Sequence, residues 1–132
     1  MNKLFTLLNS ILASIIGVVA PLKAIILIIV SAVFIDFLLA IYNAWKKGIP
    51  ITSRKMYQTV PKLLIYVSVI IIIYYANVFV FEVPMDLHKI VGGFILLTEF
   101  KSIDENINLI LGFSLFSQLT DFLSRGKNST KI

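Results

Sequence analysis

The 132 residues include no cysteine, which excludes disulfides, thiol chemistry and cysteine-held metal. The single histidine, His88, cannot build a metal site alone; beside Lys89 at the start of an apolar segment it reads as an interfacial residue. Charge is also scarce, at 14% of residues against about 25% in an average soluble domain. There is no His–Glu zinc motif, no serine elbow and no glycine-rich phosphate loop. An enzyme is therefore not expected, and no cofactor is implied. The net charge of +5 sits in loops and near the C-terminus. Without a basic surface interleaved with aromatics, it fits the charge asymmetry of membrane proteins better than nucleic-acid binding.

What the chain does have is apolar length. Hydrophobic residues make up 58% of it and the mean hydropathy is +0.94, more apolar surface than one small core can bury. Lipid is the expected solvent. The reading is an all-α integral membrane protein with three transmembrane helices plus an amphipathic N-terminal helix, a fourth span if that helix crosses.

Residues 1–20 form the N-terminal helix. Leu4, Leu8, Ile11, Leu12, Ile15, Ile16 and Val19 share one face at 3.6-residue spacing, and Thr6, Asn9, Ser10, Ala13, Ser14 and Gly17 share the other. That second face is small and carries no charge. Thr6, Ser10, Ala13 and Gly17 suit close helix–helix packing in a membrane; a helix lying flat with a mild polar face is the competing reading. The lysine-plus-apolar start resembles a signal peptide, but no small-residue cleavage site follows before Pro21 and Lys23, so the segment is expected to stay in the protein.

Pro21 marks a break or kink, and residues 22–45 make a first span closed by Tyr42 and Trp45. Residues 46–62 read as a basic loop with Gly48, Pro50 and Pro61 as breakers. Lys46, Lys47, Arg54 and Lys55 occur there with no acidic residue, which places the loop in the cytoplasm. Residues 63–83 form a second span, and Glu82, Pro84 and Asp86 an outer turn. Leu87 to Thr98 is too short to cross alone. With no proline after Pro84, a helix continuing past Glu99 is preferred to a re-entrant loop, so residues 87–116 are a third span with an amphipathic extension. Residues 124–132 form a basic, mobile tail on the cytoplasmic side. The whole is one membrane domain.

Asp36 is the only charge between Lys23 and Lys46. A carboxylate at that depth faces an insertion penalty of about 2.5–3.5 kcal/mol. Helical rise puts Asp36 about 20 Å from Pro21 and Glu99 about 18 Å from Leu87, so the two carboxylates lie at similar depth if both helices run from the outer face. Lys101 is near enough to pair with either, and Asn77 adds a polar group toward the outer side. Asp36, Asn77, Glu99 and Lys101 thus form a candidate intramembrane polar seam. It either orders subunits and lines a path, or is a satisfied cluster within one subunit.

Three pieces resemble the phage holin family that includes toxin-secretion holins. In DFLLAIYNAWKKGIPITS, the positions of Asp36, Ala40, Ala44, Lys46, Lys47 and Ser53 are similar to that family's pattern of Asp, two small residues, a basic cluster and serine. Ala40 departs from the family's usual glycine. Lys62 matches the lysine that opens its next span, and Glu99, Ser102, Glu105 and Asn106 match a late Glu-x-x-Ser-x-x-Glu-Asn motif. The resemblance implies a homo-oligomeric, multi-pass protein of the bacterial inner membrane that accumulates and then permeabilises it. Its partners would be itself, the lipid bilayer and, functionally, a peptidoglycan hydrolase or an exported protein, without nucleic acid. A structural or anchoring subunit of a larger secretion, injection or phage-defence complex, and a small non-lytic ion channel or transporter, are the competing readings.

Overall fold

The computed structural model describes residues 2–50 and 53–128, and every regular element among them is helical. Helix α1 covers Asn2–Val19, a 3-10 turn Ala20–Leu22, α2 Lys23–Lys46 and α3 Ser53–Ala76. A π-helical turn at Asn77–Phe81 closes α3, followed by α4 at Leu87–Leu111 and α5 at Leu115–Asn128. Two helical runs, Asn2–Lys46 and Tyr57–Phe81, are long and apolar enough to cross a membrane. A third span is counted if α4 and α5, bent by 97° at their junction, act as one.

Three details differ from the sequence expectations. Pro21 is not one of them: it marks the break in α-helical geometry between α1 and α2. It occupies the first turn of a 3-10 segment, where its missing N–H coincides with a position that a helix start leaves unpaired, and α1 and α2 join into one run of 45 residues. The basic loop is much shorter than 46–62, because α3 begins at Ser53 and carries Pro61 inside it. A proline forfeits one backbone bond, a loss that a packed membrane helix tolerates. The continuous helix past Glu99 ends at Leu111. Gly112 then takes φ 77°, a left-handed value that favours glycine, and starts a new direction. The tail is helical through Asn128, and its residues 129–132 lie outside the described residues.

Gly48 stops α2 in the same manner. At φ 65° it donates to Trp45 O at 3.0 Å, while Ile49 N donates to Ala44 O at 2.9 Å. This is a Schellman closure, with Pro50 just beyond. At the other end of the bundle, Asn77 Nδ2 donates to Met85 O at 2.7 Å and tethers the turn between α3 and α4. Asp86 starts α4 beside Lys89, whose hydrogen bond holds the Asp86 carboxyl below the usual carboxylate range.

Helices α2 and α4 run parallel and share the most extensive interface, with α3 antiparallel against both. Leu22, Ile29, Val33 and Ile70 form the buried core, and Ile25, Tyr66, Val91 and Ile95 pack around it. Gly92 permits the close approach of α4 to α2. A Cβ there would collide with the Ile25 side chain and lie 3.5 Å from Ile70 Cδ1, whereas Gly93 faces open space. His88, in the first turn of α4, is buried against α3, edge-on to Tyr74 with ring centroids 5.1 Å apart. Outside this small core the helices present large apolar side chains such as Leu27, Phe34, Leu64, Ile72, Phe94 and Leu97. A surface of that composition is suited to lipid, not water.

Candidate functional site

One set of polar residues from α2, α3 and α4 meets in a network halfway along the bundle. On α4, Glu99, Ser102 and Asn106 recur at intervals of three and four, so they share a face. Asp36 and Asn43, two turns apart, share a face of α2, and Lys62 and Tyr66 share one of α3. Packing turns the three faces toward one another.

Asp36 Oδ1 accepts from Ser102 Oγ at 2.6 Å and from Asn106 Nδ2 at 2.9 Å. Its second oxygen lies 3.6 Å from Lys62 Nζ. The same ammonium is 2.7 Å from Glu99 Oε2, and Tyr66 donates its hydroxyl to Glu99 Oε1 at 2.8 Å. Glu99 is fully buried. Asn43 Nδ2 extends the network by donating to Asn106 Oδ1 at 2.9 Å and Asn106 O at 3.1 Å. Beyond it, Lys46 Nζ donates to Ile110 O at 3.1 Å, close to the C-terminal end of α4.

One lysine therefore serves two carboxylates, each also held by neutral donors. A buried ion is tolerated best when it is paired and its remaining lone pairs are bonded; the pairing is present here, but Glu99 Oε2 has only the ammonium contact and Asn43 Oδ1 accepts no hydrogen bond. The charges are paired within a single chain. Beside them, a groove between α2 and α3 is lined by Asp36, Phe37, Ala40, Gln58, Thr59 and Lys62. Through it the ion pair faces the outside of the bundle rather than a sealed core.

Of the expected seam residues, Asp36 and Glu99 come together and the other two do not. Lys101 points away and lies 4.0 Å from Glu105, both side chains well exposed. A residue two positions beyond Glu99 is turned about 200° around the helix, which removes it from the shared face. Asn77 belongs to the α3–α4 turn. Among the family-motif residues, Asp36, Lys62, Glu99, Ser102 and Asn106 form the network, Ala44 is buried beside it and Ala40 borders the groove. Glu105 is outside it, and Ser53 begins α3 with its side chain outside the described ones.

Sequence reasoning missed Asn43, Tyr66 and the bond from Lys46. A signal existed: Asn43 follows Asp36 by seven residues and Tyr66 follows Lys62 by four, spacings that keep each pair on one face. On α1, Thr6, Ser10, Ala13 and Gly17 are all exposed. Thr6 and Ser10 hydroxyls bond back to Asn2 O and Thr6 O at 2.8 and 2.9 Å, which leaves a smooth stripe without spare donors. Tyr75 reaches Val18 O at 3.0 Å at the far end of the helix.

The pattern of the bacteriophage holin family matches residues 10–128, from the second half of α1 to the end of α5. No curated protein and no solved structure matches the chain.

Proposed function

The chain belongs to the bacteriophage holin family, a family of non-enzymatic, membrane-permeabilising proteins, and from that premise we propose that it acts as a homo-oligomer opening the inner membrane to release an endolysin or an exported protein. The observation that carries the reading is the contrast between inside and outside. Asp36, Lys62 and Glu99 are ion-paired with one another within one chain, while the small-residue face of α1 and the outer apolar faces are left uncovered.

In this mechanism the monomer inserts with its charges paired and accumulates without leak. Copies associate through the stripe of Thr6, Ser10, Ala13 and Gly17, where hydroxyls already bonded to their own helix permit close backbone approach. Opening draws α3 away from α2 and α4. Asp36 and Lys62, beside the groove, then exchange each other for water and line the path. The Asp36–Lys62–Glu99 cluster is thus a clasp that sets when the membrane opens. The basic residues Lys46, Lys47, Arg54 and Lys55 support a cytoplasmic position for that loop and for the C-terminus.

The test is expression of the protein alone in a bacterium, following membrane potential and release of a cytoplasmic protein marker. Collapse of both after a delay is expected, with Asp36→Asn or Glu99→Gln shifting the delay. An ion leak without protein release favours a channel, silence favours a subunit of a larger machine, and unchanged timing in both variants rejects the clasp.

A further inference from the structure

Two features fix the angle at which α5 leaves α4. Asp104, on α4, accepts from Ser114 Oγ and Leu115 N, both at 2.6 Å. A carboxylate from the preceding helix thereby serves the unpaired donors at the start of the next one. Gly112 supplies the left-handed turn, and the two helices stand at 97°.

The level of the bend is set by α2. Lys46 bonds Ile110 O, so α4 ends beside the Tyr42–Trp45 pair and the lysines that close α2. Parallel α2 and α4, of 24 and 25 residues, are each about 36 Å long, enough to cross the hydrocarbon core and reach the headgroups. A helix leaving at a right angle from that point runs along the membrane plane.

Its surface is divided accordingly. Leu115, Phe116, Leu119, Phe122 and Leu123 fall within about 120° of arc and are exposed, and the rest of the circumference carries Ser117, Gln118, Thr120, Asp121, Ser124 and Arg125. The apolar arc continues into a groove against α4 lined by Phe100, Ile103, Leu115, Phe116 and Leu119.

We infer that α5 is an interfacial helix whose apolar face is covered by the phospholipid surface, at the headgroup–acyl boundary on the side of the basic loop. Lipid fits better than re-entry, because a re-entrant α5 would carry Gln118, Asp121 and Arg125 into hydrocarbon. It also fits the neighbouring aromatic and lysine belt, which marks the same boundary. Pinned in this way, α5 fixes how deep α4 sits.

The native chain has no cysteine, so single cysteines can be read without background. The full-length chain bearing Phe122→Cys or Ser124→Cys, labelled with an environment-sensitive fluorophore, is reconstituted in phosphatidylglycerol–phosphatidylcholine vesicles. At position 122, lipids spin-labelled near the headgroup should quench several-fold more than lipids labelled deep in the acyl chain. At position 124, an aqueous quencher should dominate. Stronger quenching of 122 by the deep label, which means re-entry, or by neither lipid label, which means a protein partner or free solution, overturns the inference. Asp104→Leu should erase most of the contrast between the two positions; a contrast kept in full removes Asp104 as the pin.

Discussion

Replacing Lys62 with methionine keeps an unbranched side chain, one atom shorter, and removes the one cation shared by Asp36 and Glu99. At an effective dielectric of about 20, the 2.7 Å contact with Glu99 corresponds to about 6 kcal/mol and the 3.6 Å contact with Asp36 to about 5. Much of that attraction offsets the desolvation of burying the ions, so the pair adds far less than the sum to stability. What matters in the variant is the carboxylate left behind. Glu99 is fully buried, and stranding one partner of such a pair destabilises by about 3–5 kcal/mol. Asp36 is less vulnerable, because it keeps Ser102 and Asn106 as donors and its side chain is 15% exposed. Adding Glu99→Gln to Lys62→Met should therefore restore most of the loss, since the amide oxygen still accepts from Tyr66. Adding Asp36→Asn should restore much less. The measurement is reversible unfolding in mixed micelles, read as a double-mutant cycle, with a Lys62–Glu99 coupling of about 2 kcal/mol or more expected. A coupling under about 0.5 kcal/mol, or equal rescue by the two second changes, would refute the assignment of Glu99 as the buried charge that Lys62 serves.

Two further outcomes test the packing. Gly92→Leu should separate α4 from α2 and cost about 1–3 kcal/mol, while Gly93→Leu, which meets open space, should be neutral or raise stability slightly; equal effects in the unfolding assay would contradict the close approach at Gly92. The 45-residue run from Asn2 to Lys46 is about 68 Å long, roughly twice the thickness of the hydrocarbon core, so in vesicles it should bend at Pro21. Spin labels at residues 10 and 31 would then lie about 22 Å apart for a right-angle bend against about 31 Å for a straight rod, with Pro21→Ala shifting the distance toward the longer value. A straight-rod distance in the unmodified chain would dismiss the hinge.

Much of the site was legible in one dimension because a charge in an apolar run has few physical excuses. Asp36 and Glu99 were placed at similar depth from helical rise alone, and parallel packing of α2 and α4 brings them to one lysine. Its cation was misassigned. Lys101 is close to Glu99 in sequence but on another side of α4, while Lys62 is distant in sequence and arrives only through the antiparallel return of α3. Asn77, 15 residues beyond Lys62 on the same helical run, lies too far along it to reach the network and instead bonds Met85 O in the turn to α4.

By itself, the amino-acid sequence determined the solvent this protein requires, its helical class and the residues too costly to bury unpaired, because those depend on composition and on the 3.6-residue repeat. Tertiary structure alone decided which cation each carboxylate meets, that Ser53–Lys62 is helix rather than loop, and that α5 turns through 97° at Gly112. These depend on contacts between elements distant along the chain, or on a capping carboxylate on the preceding helix. Local pattern carries no record of which faces will meet.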